Sequence, residues 1–314
     1  MANSSILELQ IQSFNSTLSR VFWFLLISFS LLALVVLGVI ANVKVCSVLV
    51  RGRRFKKHLS NFMLFHLSIT DLIYRLIVIP GYLAAKYFPV KTRSELSCKV
   101  AYTCLRAVYT AVFTSLVVIA FDRYQSITKP FKRLRRKPKL FLWIFVVWGY
   151  STVCALPQFF NDGIGTLTIN LTHFSNSTSY VFQICVATKE SSSKRILIIF
   201  YFILGFLVPL VLITIAYIKI ALFLWRKSRN RVLNQAAVNS RRRALQMLVL
   251  MVLGFLICLG PSQLKKLMES LGVIQDNAAV ATTVFIFQLS SSLINPILYS
   301  HYSSEFKQGL KNGK

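Results

Sequence analysis

A carboxylate, a guanidinium and a phenol stand side by side at Asp122-Arg123-Tyr124, at the inner end of a long apolar stretch. Charge at such a position is expensive, and where it persists it commonly works as a paired or switching group. Asp71 and Arg75 interrupt a second apolar stretch at i and i+4, which on an α-helix puts both on one face in the acid-first order that favours pairing. The chemistry on offer is charge pairing and its release. Covalent or metal-assisted catalysis would call for paired acids or clustered metal ligands. The chain has only nine acids, and His58, His66, His173 and His301 are scattered, so neither an enzyme nor a metal site is expected.

The elements that must position these groups are membrane spans. Hydrophobic residues make up 55% of the chain and charged residues only 15%, which a soluble domain of 314 residues would not match. Apolar runs long enough to cross a hydrocarbon core recur near 21–50, 62–85, 100–121, 140–160, 196–225, 244–264 and 278–300. The fold class is all-α, a seven-helix transmembrane bundle. Residues 1–20 form a polar tail, 21–300 the bundle, and 301–314 a short amphipathic helix and tail. No cleavable signal is evident, because the apolar run from Val21 is too long for one.

Two independent features orient the chain. The loops after the first, third and fifth spans carry 20 lysines and arginines against 10 on the opposite side, which places the odd-numbered loops in the cytoplasm. Glycosylation acceptors begin at Asn3, Asn15, Asn170 and Asn176, all in the tail or the loop after the fourth span. Both features put the amino terminus outside and the carboxyl end inside. The net charge of +28 lies in short membrane-flanking loops, so anionic membrane lipid is the expected partner of that charge and nucleic acid is not.

Each span also carries a marker, and together they resemble the rhodopsin family of G-protein-coupled receptors over most of the chain. Asn42 stands in the first span. The second reads Asn61, Leu64, Leu67, Ser68 and Asp71, and the third runs from Cys98 to Asp122-Arg123-Tyr124. Trp148 and Pro157 follow in the fourth, Pro209 and Tyr217 in the fifth, and Phe255, Cys258 and Pro261 in the sixth. Asn295-Pro296-Ile297-Leu298-Tyr299 closes the seventh. Phe306 and Leu310 then suit the family's short eighth helix lying along the membrane.

The resemblance implies transmission rather than catalysis. Asp122 would hold Arg123 at rest, and an agonist would swing the sixth span outward so that Arg123 meets a heterotrimeric G protein. Tyr217 and Tyr299 would help hold that open state, with Pro209 and Pro261 as kinks. The resemblance also implies a Cys98–Cys185 disulfide. Cys46, Cys154 and Cys258 read as buried apolar residues, and Cys104 is undecided.

Departures from the family pattern sharpen the expectations. Leu259 stands where the family commonly has a tryptophan, leaving Phe255 and Phe113 to sense the ligand. Arg241-Arg242-Arg243 stands where an acid often pairs with the arginine of the third span, so ligand-independent signalling is expected. Val112 replaces a serine that helps many relatives bind sodium at Asp71. Two readings follow: Arg75 takes the place of sodium, or sodium is held by Asp71 with Asn42, Ser291, Ser292 and Asn295 while Arg75 reaches toward water. The first is favoured, and otherwise no cofactor is expected.

Leu105 and Leu289 replace the aspartate of amine receptors and the lysine of opsins. Arg106, Lys265, Lys266 and the deeper Arg75 instead suggest a cationic pocket near Leu105. An extracellular peptide of neuropeptide type is the first choice of ligand, supported by Pro80 and a long β-capable loop after the fourth span. A small acidic or lipid-acid ligand is the alternative. A transporter is a distant one, since no internal repeat is found. Residues 305–314 contain no serine or threonine, so arrestin recruitment is expected to be weak or to rely on Ser228, Ser240, Ser303 or Ser304. The protein is placed in the plasma membrane as a multi-pass receptor.

Overall fold

Seven helices are long and apolar enough to cross a membrane: Val21–Arg51, Leu59–Ala84, Glu95–Thr128, Leu140–Phe159, Lys194–Lys227, Leu245–Ser270 and Ala278–Tyr302. Apolar solvent leaves a backbone only its own hydrogen-bond partners, so a chain of this composition must cross as helices. The computed structural model describes residues 2–51, 59–87, 90, 94–129, 140–160, 162–173, 176–187, 192–229, 235–302 and 306.

The third span is the axis of the bundle and packs on the second, fourth and fifth. The first packs on the second and seventh, and the sixth joins the seventh to the fifth. Between the sixth and seventh the fit is close: a Cβ on Gly254 would stand 2.7 Å from Cδ1 of Ile294. The central core includes Met63, Leu67, Phe113, Leu116, Ile119, Ile213, Met251 and Phe255.

Two features differ from expectation. The first helix runs without interruption from Ala2 to Arg51, so the polar tail is helical and continuous with the first span. Residues 2–37 contain neither glycine nor proline, and nothing in them breaks a helix. The second and fifth spans each contain a π-helical turn, Tyr74–Val78 and Ile203–Leu207. Pro80 and Pro209 follow directly, and a proline ring clashes with the carbonyl four residues back, which the wider turn relieves. By contrast, the helices of the sixth and seventh spans continue through Pro261 and Pro296.

The β-capable loop after the fourth span forms a hairpin of two twelve-residue antiparallel strands, β1 (Asp162–His173) and β2 (Asn176–Ala187). Gln183 of β2 also exchanges backbone hydrogen bonds with Val90 at 3.3 and 2.7 Å, which stitches the hairpin to the loop after the second span. Asn170 lies in β1 opposite Ser179, and Asn176 begins β2. Of the expected eighth helix, Leu310 lies outside the described residues, whereas Phe306 is buried against the Tyr299 ring with centroids 6.2 Å apart.

Candidate functional site

At the inner end, the third span carries Asp122, Arg123 and Tyr124 beyond its buried core. Asp122 is buried, and its Oδ2 accepts a 3.1 Å hydrogen bond from the backbone amide of Ser60 at the start of the second span. Charge on Arg123 acts on Tyr217 of the fifth span and Tyr299 of the seventh, and these two phenols also act on each other. Both hydroxyls are buried and carry no hydrogen bond among the described residues. The third, fifth and seventh spans thus bring Arg123, Tyr217 and Tyr299 within electrostatic reach of one another.

Deeper in the bundle, Asn42, Asp71, Ser291 and Asn295 are all buried. Nδ2 of Asn42 donates to the Gly38 carbonyl at 2.9 Å and the Ser291 hydroxyl to the Gln288 carbonyl at 2.7 Å. The side chain of Ser292 lies outside the described residues. Asp71 faces Asn295 and interacts electrostatically with Arg75. Arg75 does not reach toward water: it is 1% exposed. Its Nη1 donates to the Leu34 carbonyl at 2.9 Å, and its Nη2 donates to the Leu289 carbonyl.

A sodium ion fits this set poorly. Arg75 acts electrostatically on Asp71 from four residues along the same span, and Val112 is buried in the third span where it offers only methyl groups.

Sensing residues lie above. The Phe113 ring stands 5.1 Å from Phe206 edge to face and 6.5 Å from Phe255, so the expected pair is part of a larger aromatic cluster between the third, fifth and sixth spans. Leu259 is buried beside them in the same core.

At the outer end, the expected cationic pocket is corrected. Arg106 forms a two-pronged ion pair with Asp162 of β1, its Nη2 lying 3.0 Å from Oδ1. The side chains are 11% and 3% exposed. Lys265 pairs with Glu269 and, at 2.8 Å, with Asp276. The few outer acids have thus found these cations, because a buried or half-buried charge is costly without a partner. Leu105 is packed in the core. Lys266 is exposed, with its ammonium 6.0 Å from the centre of the Tyr109 ring.

The expected disulfide is present: Cys98 and Cys185 are bonded, with 5.3 Å between Cα atoms. Together with Arg106–Asp162 it fastens the hairpin to the third span at two points.

Sequence reasoning missed several polar partners. Tyr74 and Tyr109 share a 2.7 Å hydrogen bond, and Gln288 donates to Tyr74 at 2.6 Å, which links the second, third and seventh spans. Tyr201 donates to the Arg106 carbonyl at 2.9 Å. Trp148 donates through Nε1 to Nε2 of buried His66 at 2.9 Å, so Nδ1 carries the proton when the ring is neutral and can face the Ser115 hydroxyl 3.3 Å away. An ionisable residue within a span was itself a signal for His66. Asp162 had a weaker one, as an acid in the loop facing Arg106.

Comparison with known proteins follows the same lines. The family model described as 7 transmembrane receptor (rhodopsin family) matches residues 41–299. The chain is 28% identical to neuromedin-U receptor 2 of Rattus norvegicus over 303 residues, covering 91% of this chain and 74% of the relative. It is 27% identical to galanin receptor type 1 of Homo sapiens over 282 residues, covering 88% and 77%. Neuropeptide FF receptor 2 of Rattus norvegicus is 22% identical over 289 residues, covering 88% and 69%. A bundle of seven candidate spans, matched by that family model along most of its length, belongs to the rhodopsin family of seven-transmembrane receptors.

Proposed function

We propose that this receptor takes an extracellular peptide of neuropeptide type and passes the signal to a heterotrimeric G protein. The observation that carries the ligand class is the double-fastened hairpin, read beside relatives named for neuromedin U, galanin and neuropeptide FF. Its strands offer extended backbone and alternating side chains, which suit a peptide better than a compact small molecule. A small acidic ligand is less favoured, because Arg106 and Lys265 already have acids of their own. Positive loops and the four acceptor asparagines support an amino terminus outside the plasma membrane.

Transmission is a two-state equilibrium. A peptide that binds the open arrangement more tightly than the closed one shifts the populations by that difference in affinity. Opening would move Tyr217 and Tyr299 relative to Arg123 and release the Arg123 head to the G protein. The cytoplasmic basic loops would lie against anionic lipid.

The test is expression with a promiscuous Gα subunit and a calcium readout. Peptides and small acids are screened in parallel, with Arg123→Ala as the uncoupled control. A peptide that raises calcium in the native receptor and not in the control is expected. Activation by small acids with no response to any peptide would refute the ligand class.

A further inference from the structure

The second span carries a fully buried cation that the signalling switch does not use. Among the described residues, Arg75 is the largest side chain with less than 2% exposure. Two neighbouring helices supply its acceptors, Leu34 in the first span and Leu289 in the seventh. The π-helical turn that begins at Tyr74 alters the phase of the helix just where Arg75 leaves it. The first span also makes room: a Cβ on Gly38 would land on the guanidinium carbon and stand 2.8 Å from Nη1. Any larger residue at position 38 would push the guanidinium away from both carbonyls. The negative charge acting on this group is Asp71, with the Tyr74 phenol beside it.

These observations concern separate parts of the chain and agree. A guanidinium that served the headgroups would be exposed, and one waiting for an acidic ligand would keep its donors for it. This one is enclosed, donates to two helices and stands four residues after Asp71 on the same span. We infer that Arg75 is the resident cation of the bundle, balancing Asp71 and bracing the first, second and seventh spans, so that the receptor does not depend on sodium there.

Charge and bracing can be separated. Arg75→Lys keeps the charge but cannot reach two carbonyls with a planar fork, whereas Arg75→Met removes both. Purified receptor is melted in sodium chloride and in N-methylglucamine chloride of equal ionic strength, so the readout needs no peptide and no G protein. The native chain is expected to melt at the same temperature in both salts. Arg75→Lys should melt lower than the native chain and stay indifferent to sodium. Arg75→Met should gain a sodium-dependent rise of at least ~3 °C, which the added change Asp71→Asn should abolish.

A native receptor that melts higher in sodium overturns the proposal, and that arm requires no variant to fold. An Arg75→Met receptor as stable as the native one in both salts overturns it as well.

Discussion

Breaking the Arg106–Asp162 pair should release the β1 end of the hairpin while the disulfide keeps its β2 side attached. At the 3.0 Å separation of Nη2 and Oδ1 and an effective dielectric of about 20, two unit charges attract by about 5.5 kcal/mol. Desolvation offsets part of this, and removing one partner of a buried pair costs about 3–5 kcal/mol because the other charge is stranded. With Arg106 11% exposed, the low end of that range is the better figure, and about 3 kcal/mol corresponds to roughly a hundredfold in the docking equilibrium.

The assay is hydrogen exchange on purified receptor, read at residues 162–167 and their partners 182–187. Arg106→Ala and Asp162→Asn should each speed exchange there, and the double variant should resemble the singles rather than their sum. Independent, additive effects would refute the latch. So would opposite effects on signalling, with Asp162→Ala raising and Arg106→Ala lowering the potency of the same acidic ligand, since Arg106 would then be a ligand anchor restrained by Asp162.

Two other outcomes follow from the hydrogen bonds and charges of the spans. Trp148→Phe removes the Nε1 donor to His66 and should cost about 1–2 kcal/mol, lowering the melting temperature by ~2–6 °C; His66→Ala in that background should add less than it does alone. Because Arg241 cannot supply an acid to Arg123, nucleotide exchange without ligand should exceed that of membranes lacking the receptor. Arg241→Glu should lower this exchange and Asp122→Asn raise it, and basal exchange no higher than in membranes lacking the receptor would refute the reading.

Much of the architecture was legible because its causes are local. A run of about twenty apolar residues is long enough to cross as a helix whatever surrounds it. The Cys98–Cys185 bond and the placement of Tyr217 and Tyr299 around Arg123 followed from motif positions. The π-helical turns near Pro80 and Pro209 were not legible, since the helices of the sixth and seventh spans continue through Pro261 and Pro296 without one. The i, i+4 rule correctly associated Arg75 with Asp71, but it could not name Leu34 and Leu289, whose acceptors are backbone carbonyls without a sequence signature.

The sequence by itself therefore determined how many membrane-length helices this chain forms and which ionisable groups lie within them. Tertiary structure alone decided which partners those charges take. Arg106 meets an acid 56 residues away, and Arg75 meets a carbonyl 214 residues away. The rotation of each helix and the docking of the hairpin set those meetings. A cation that reads in sequence as open to a ligand is closed in the fold because a low-dielectric interior favours pairing or hydrogen bonding of every buried charge.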